Sequence, residues 1–146
     1  MSQAITSVYN ILASDPDIDK ELSRSIYDET LTQPAIYENW PGDNATITYI
    51  IAAWSFPQSG GHWAKVNASL SIHIFVDNMD SLKVDRIRDR ITYLLDWEYI
   101  RKQTGGLIRV YKGTNDTPVG SESPDVIHWL IDFDVVYYHT NFAMSK

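Results

Sequence analysis

From Lys65 to Val76 apolar and polar residues alternate, Phe75 being the one apolar residue on the polar side. Val66, Ala68, Leu70, Ile72, Ile74 and Val76 share one parity, and Asn67, Ser69, Ser71 and His73 share the other. Successive side chains of a strand point to opposite faces, so this stretch predicts a strand with one face buried and one wet. Val126 to His139 repeats the pattern, with Ile127, Trp129, Ile131, Phe133 and Val135 on one side. Thr46 to Phe56 is rich in Ile, Tyr, Trp and Thr, which suits a strand with both faces partly covered. Leu107 to Lys112 reads as a fourth, short strand opened by Gly105-Gly106, and Ala35–Glu38 as a further short strand before the first long one.

Elsewhere the period is helical. Ile5, Val8, Tyr9 and Leu12 predict an amphipathic helix over residues 3–13, and Ser14-Asp15-Pro16 ends it with a cap and a proline suited to a first helical turn. Ile18, Leu22 and Ile26 recur every four residues and predict a second helix to about Tyr27. Asp80 or Ser81 caps a third, whose stripe is Val84, Ile87, Ile91, Leu94 and Leu95 and whose end falls near Trp97. Pro57 to Gly61 reads as a turn. The order predicts one α+β domain over residues 1–146, a four-stranded, mainly antiparallel sheet with helices packed on one face.

One segment breaks both periods. Gly113, Thr114, Asn115, Asp116, Thr117, Pro118, Val119, Gly120, Ser121, Glu122, Ser123, Pro124 and Asp125 are nearly all turn-forming or polar. Such a segment reads as a long mobile loop between two strands, a candidate contact for a partner.

Composition adds three constraints. The chain has no Cys, so disulfides, thiolate zinc sites and thiol nucleophiles are excluded. No N-terminal basic-then-apolar signal and no run of about 18 apolar residues appears, so neither secretion nor a membrane span is expected. Net charge is -7, and it is unevenly placed. Residues 1–64 hold Asp15, Asp17, Asp19, Glu21, Asp28, Glu29, Glu38 and Asp43 against Lys20 and Arg24, whereas residues 83–112 hold eight bases against four acids. An acidic chain is poorly suited to sequence-independent nucleic-acid binding, which needs many phosphate-neutralising bases. The asymmetry suits head-to-tail self-association, with Lys83, Arg86 and Arg90 as candidate subunit-contact charges; two solvated faces of a monomer are the alternative. Aromatic residues make 12% of the chain, and large amphipathic rings serve either sheet packing or subunit contacts.

Candidate chemistry is sparse. His128, Asp132 and Asp134 share a face of the last strand, and two carboxylates with a histidine can bind metal or move protons. Strand alternation alone also places them there. His62, His73 and His139 lack metal-ligand spacing, and Gly60-Gly61 and Gly105-Gly106 lack the setting of a phosphate loop. Asn44-Ala45-Thr46, Asn67-Ala68-Ser69 and Asn115-Asp116-Thr117 match a glycosylation pattern that is idle without secretion. No catalytic residue, cofactor or metal is expected.

The arrangement resembles the tail-terminator, or tail-completion, proteins of long-tailed phages. The resemblance runs from the N-terminal helix through Ala35-Ile36-Tyr37 and Pro41-Gly42 to Thr48-Tyr49-Ile50-Ile51-Ala52-Ala53-Trp54. It continues through Ala68-Ser69-Leu70-Ser71-Ile72-His73-Ile74-Phe75 and the helix Val84–Leu95 to the hairpin Leu107–Tyr138. It implies a non-enzymatic virion protein, assembled in the host cytoplasm: a homohexameric ring that caps the last ring of the tail tube and faces the head connector. DNA would pass through its bore unread. The aromatic richness and the long polar loop depart from that pattern. A head–tail neck protein, a small enzyme using His128, Asp132 and Asp134, and a monomeric ligand-binding domain are the competing expectations.

Overall fold

The computed structural model describes residues 3–56, 65–105, 108–120 and 124–138. The expected turn at Pro57–Gly61, and His62, Gly106, Leu107, Ser121, Glu122, Ser123 and His139, lie outside the described residues.

Helix α1 (Gln3–Ala13) places Ala4, Val8 and Leu12 in the core at successive turns. Asp15 then caps α2 (Pro16–Asp19), its carboxylate accepting the Ile18 N–H at 3.0 Å, and Pro16 needs no partner at the first helical position. The helix expected to reach Tyr27 stops at Asp19. Beyond it the backbone pairs outward: Ser23 donates to the Thr48 carbonyl and Ser25 to the Gln33 carbonyl. The Arg24 guanidinium takes up the carbonyls of Asp19 and Leu22 that a continuing helix would use.

The sheet contains β1 (Ile36–Tyr37), β2 (Tyr49–Ser55), β3 (Lys65–Asp77), β4 (Ile108–Val119) and β5 (Val126–Tyr138), in the order β1-β2-β3-β5-β4. It therefore has five strands, not four, because the short β1 joins it in parallel with β2; the other pairings are antiparallel. A 3₁₀ turn (Asn78–Asp80) leads from β3 into α3 (Ser81–Leu94). The helix expected to end near Trp97 stops at Leu94, and a further helix not expected from the sequence follows it. Asp96 breaks the first and caps α4 (Trp97–Thr104) by accepting the Glu98 N–H at 3.0 Å, and Gly105, at φ 68°, closes it in the left-handed conformation that glycine adopts without strain.

The core lies between the helices and one sheet face. Val84, Ile87, Ile91 and Leu94 of α3 and Ile100 of α4 pack with Leu70, Ile72 and Ile74 of β3 and Ile131, Phe133 and Val135 of β5. A smaller cluster on the other face joins Ala35, Tyr37, Tyr49 and Ile51, covered by Ala45 and Ile47. Among the described residues no helix is long and apolar enough to cross a membrane.

The main correction concerns Gly113–Asp125. Instead of a long loop, the segment continues β4 as far as Val119, with Asp116 opposite Ile131 and Val119 opposite His128. Between Lys112 and Asp116 the register shifts: four steps on β4 oppose two on β5, forming a bulge. Gly113 sits in that bulge because a Cβ there would meet the Asp132 carbonyl oxygen at 3.1 Å. The expected mobility fails for the paired residues because Asp116 has three partners: Arg88 in a bidentate pair at 3.0 Å, Lys112 at 2.7 Å and the Trp129 indole N–H at 2.6 Å. Arg88 also lies over the Trp129 ring, 4.2 Å from its centroid. These contacts fasten the far half of the hairpin to α3.

Candidate functional site

The open face of the sheet collects the residues that alternation predicted. On β5, His128, Leu130, Asp132 and Asp134 point away from the helices, and the register sets them beside Phe75, His73, Ser71 and Ser69 of β3. Thus His73 joins the expected group. Its Nδ1 lies 2.8 Å from His128 Nε2, a hydrogen bond in which one ring donates its N–H to the other's lone pair. Burial pushes both imidazoles below their ordinary pKa; for His73 this outweighs attraction from Asp132, and for His128 repulsion from His73 adds to it. Both shifts favour the neutral rings.

A row of rings extends from it across the sheet. His128 stacks on Phe75 with centroids 4.3 Å apart, Phe75 on Tyr49 at 4.7 Å, and Tyr37 and Tyr27 follow edge-on at 5.9 and 5.6 Å. Phe75, Tyr49 and Tyr37 thus help to cover one side of the sheet. Asp132 is held by Ser71 Oγ at 2.9 Å on one oxygen and by the Asn115 amide, from the bulge, on the other. Asp134 is exposed and stands apart, lining a shallow hollow of about 410 Å³ with Ser55, Asn67 and Ser69. The three expected residues share a face, but they do not converge. Both Asp132 oxygens and one ring nitrogen of His128 are matched to neighbours, and among the described residues no group of three metal-ligating side chains forms.

Two of the three candidate subunit charges are paired within the chain. Arg86 pairs with Glu21 at 3.0 Å, with Asp80 at 3.7 Å further off. Arg90 grips Asp15 through Nε at 2.9 Å and Nη2 at 2.7 Å. Burial would raise the Asp15 carboxyl pKa, but the hydrogen bonds from Arg90 and the Ile18 N–H outweigh it and hold it below the ordinary value. Part of the complementarity between an acidic first half and a basic middle is therefore satisfied within one chain, through Asp15, Asp17 and Glu21. Lys83 alone of the three makes no ion pair among the described residues. Arg90 and Asp15 also border a polar cleft of about 530 Å³ with Ser7, Asn10, Ser14 and Tyr99.

No protein-family model matches the chain, and no curated protein matches it. Function must be read from surfaces. With Arg86 and Arg90 engaged and Lys83 only partly exposed on α3, Lys102 on α4 and Arg109 on the β4 edge stand as exposed bases outside any ion pair among the described residues, and Arg109 lies over the Trp97 ring, 5.4 Å from its centroid. Tyr111 stacks on the same Trp97 with centroids 6.5 Å apart. At the opposite edge, around β1, Tyr27, Leu31 and Trp40 remain 71%, 60% and 65% exposed beside Glu29, Glu38 and Asp43. Sequence reasoning missed these two edges because it had no way to tell which charges the fold would pair.

Proposed function

We propose that the protein is a non-enzymatic assembly subunit of the tail-terminator kind: it forms a ring, caps a tail tube and joins it to the head connector. What carries the reading is the folded order of elements. An N-terminal helix, the antiparallel β2–β3 pair, the helix α3 and a closing hairpin β4–β5 with strands of 12 and 13 residues follow the order on which the resemblance rests. The open sheet face supports a structural role, because His73 with His128 and Ser71 with Asp132 and Asn115 occupy one another's polar atoms. DNA would pass through the bore without sequence readout, in keeping with an acidic chain.

The test is a capping assay. Tail-tube protein encoded with this chain is allowed to polymerise, and the chain is added during growth. Tubes should stop lengthening and carry a ring at one end in negative-stain images. Tubes that lengthen as before, with bare ends, would refute the proposal.

A further inference from the structure

We infer that the two outer edges of the sheet form the subunit–subunit interface, the acidic aromatic edge around β1 of one copy meeting the basic aromatic edge of β4 and α4 of the next. This rests on the ring reading and assigns its contact surfaces. The occupant is a second copy of this chain, and the argument is charge complementarity between surfaces that the fold places at opposite ends of one sheet. At the β1 edge Glu29, Glu38 and Asp43 are exposed and make no ion pair among the described residues. At the β4 edge Lys102 and Arg109 are likewise exposed and outside any such pair.

Both edges carry apolar area to bury. On the acidic side Tyr27, Leu31 and Trp40 stand out into solvent. Leu31 has φ 56°, a backbone conformation that non-glycine residues adopt at some strain. The loop is held in it by Asp28, whose carboxylate accepts five hydrogen bonds from Thr30, Thr32 and Gln33, between 2.7 and 3.1 Å. A stiff loop loses little freedom when its Leu enters a contact. On the basic side, Tyr111 and Trp97 offer stacked rings beside Arg109.

The contact is made by side chains, not by adding one strand to another. β1 is two residues long, and β4 is bent by its bulge and carries Arg109, Lys112 and Pro118, features that discourage strand addition. Like edges repel, so a two-fold dimer through either edge is disfavoured. Unlike edges joined head to tail close into a ring when the rotation allows.

The chain has no Cys, which makes crosslinking clean. Asn39→Cys marks the acidic edge and Gln103→Cys the basic edge, both at exposed positions that leave the charges in place. The two proteins are mixed at low salt with a short bis-maleimide linker, with and without tube protein. The mixed product should exceed either like-edge product by about tenfold and decline as salt is raised. Glu38→Lys with Asp43→Lys in the first protein should abolish it, and Lys102→Glu with Arg109→Glu in the second should restore it. Like-edge products in equal amount, or a mixed product indifferent to charge reversal, would overturn the inference. Rings seen by mass photometry without the mixed crosslink would overturn the edge assignment alone. Absence of both rings and crosslinks, with tube present, would overturn the ring reading and this interface with it.

Discussion

Replacing Arg90 by Ala tests whether this arginine is an internal clamp or a surface free for a neighbouring subunit. In the fold it donates two hydrogen bonds to Asp15, whose side chain is 5% exposed, while the same carboxylate caps α2 through the Ile18 N–H. Truncation removes both guanidinium donors and leaves a carboxylate nearly out of water with only its backbone partner. Breaking a fully buried ion pair costs about 3–5 kcal/mol. Because Arg90 itself is about one-third exposed, water can reach the vacated place, and a loss of about 2–3 kcal/mol is expected. For a chain of this length that lowers Tm by about 4–12 °C. Asp15→Ala should lose about as much, through the cap and the pair together, and the double variant should lose less than the sum by about 1–2 kcal/mol. Urea denaturation of the four proteins at pH 7 reads this directly, with unchanged denaturant slopes. The folded Asp15 pKa lies below the ordinary carboxylate value, so its contribution is complete above about pH 4 and is lost as pH falls through the folded value. The gap between parent and Arg90→Ala should therefore close in acid. A loss under about 0.5 kcal/mol at pH 7, or a gap independent of pH, would show that Arg90 is not a clamp.

Three further outcomes are expected. Both imidazoles of the His73–His128 pair are depressed in the fold, so the unfolded chain binds protons first and Tm should fall as pH drops below about 6.5, whereas His73→Gln with His128→Gln should be flatter over that range. Asp116→Ala should cost about 1–3 kcal/mol and speed amide exchange in residues 114–119, because Arg88, Lys112 and the Trp129 N–H lose their common acceptor; unaltered exchange would mean that the bulge is held by something else. Asp132→Asn with Asp134→Asn should leave tube capping intact, and loss of capping in a folded, ring-forming protein would reveal a working site on the open face.

The strongest periodicities translated directly into structure. The alternation of Lys65–Val76 became β3, and the stripe Val84, Ile87, Ile91 and Leu94 became the buried face of α3. Parity also placed His128, Asp132 and Asp134 correctly on one face, though it could not bring His73 beside His128, because that contact depends on pairing residues 55 apart in sequence. The failures have the same origin. Gly113–Val119 looks like a loop because an edge strand with a bulge buries little apolar surface; its order comes from Asp116 reaching Arg88, 28 residues away in the chain. Likewise Arg86 and Arg90 looked free for a partner until the fold brought Glu21 and Asp15 to them across 65 and 75 residues. Local pattern predicts elements; it does not predict which distant charges cancel. For the same reason, shortening Thr114–Ser123 to an Asn-Gly turn would delete Asp116, and with it the shared acceptor of Arg88, Lys112 and Trp129, along with any contact surface, so single substitutions are the better probe of that segment.

The mass of the assembly tests the ring most directly. Mass photometry at low salt, with the chain alone and with tail-tube protein present, should reveal a species of six 16.7 kDa chains, about 100 kDa, on its own or seated on tube ends. A two-fold dimer in both conditions, or a monomer that never joins the tube, would contradict it.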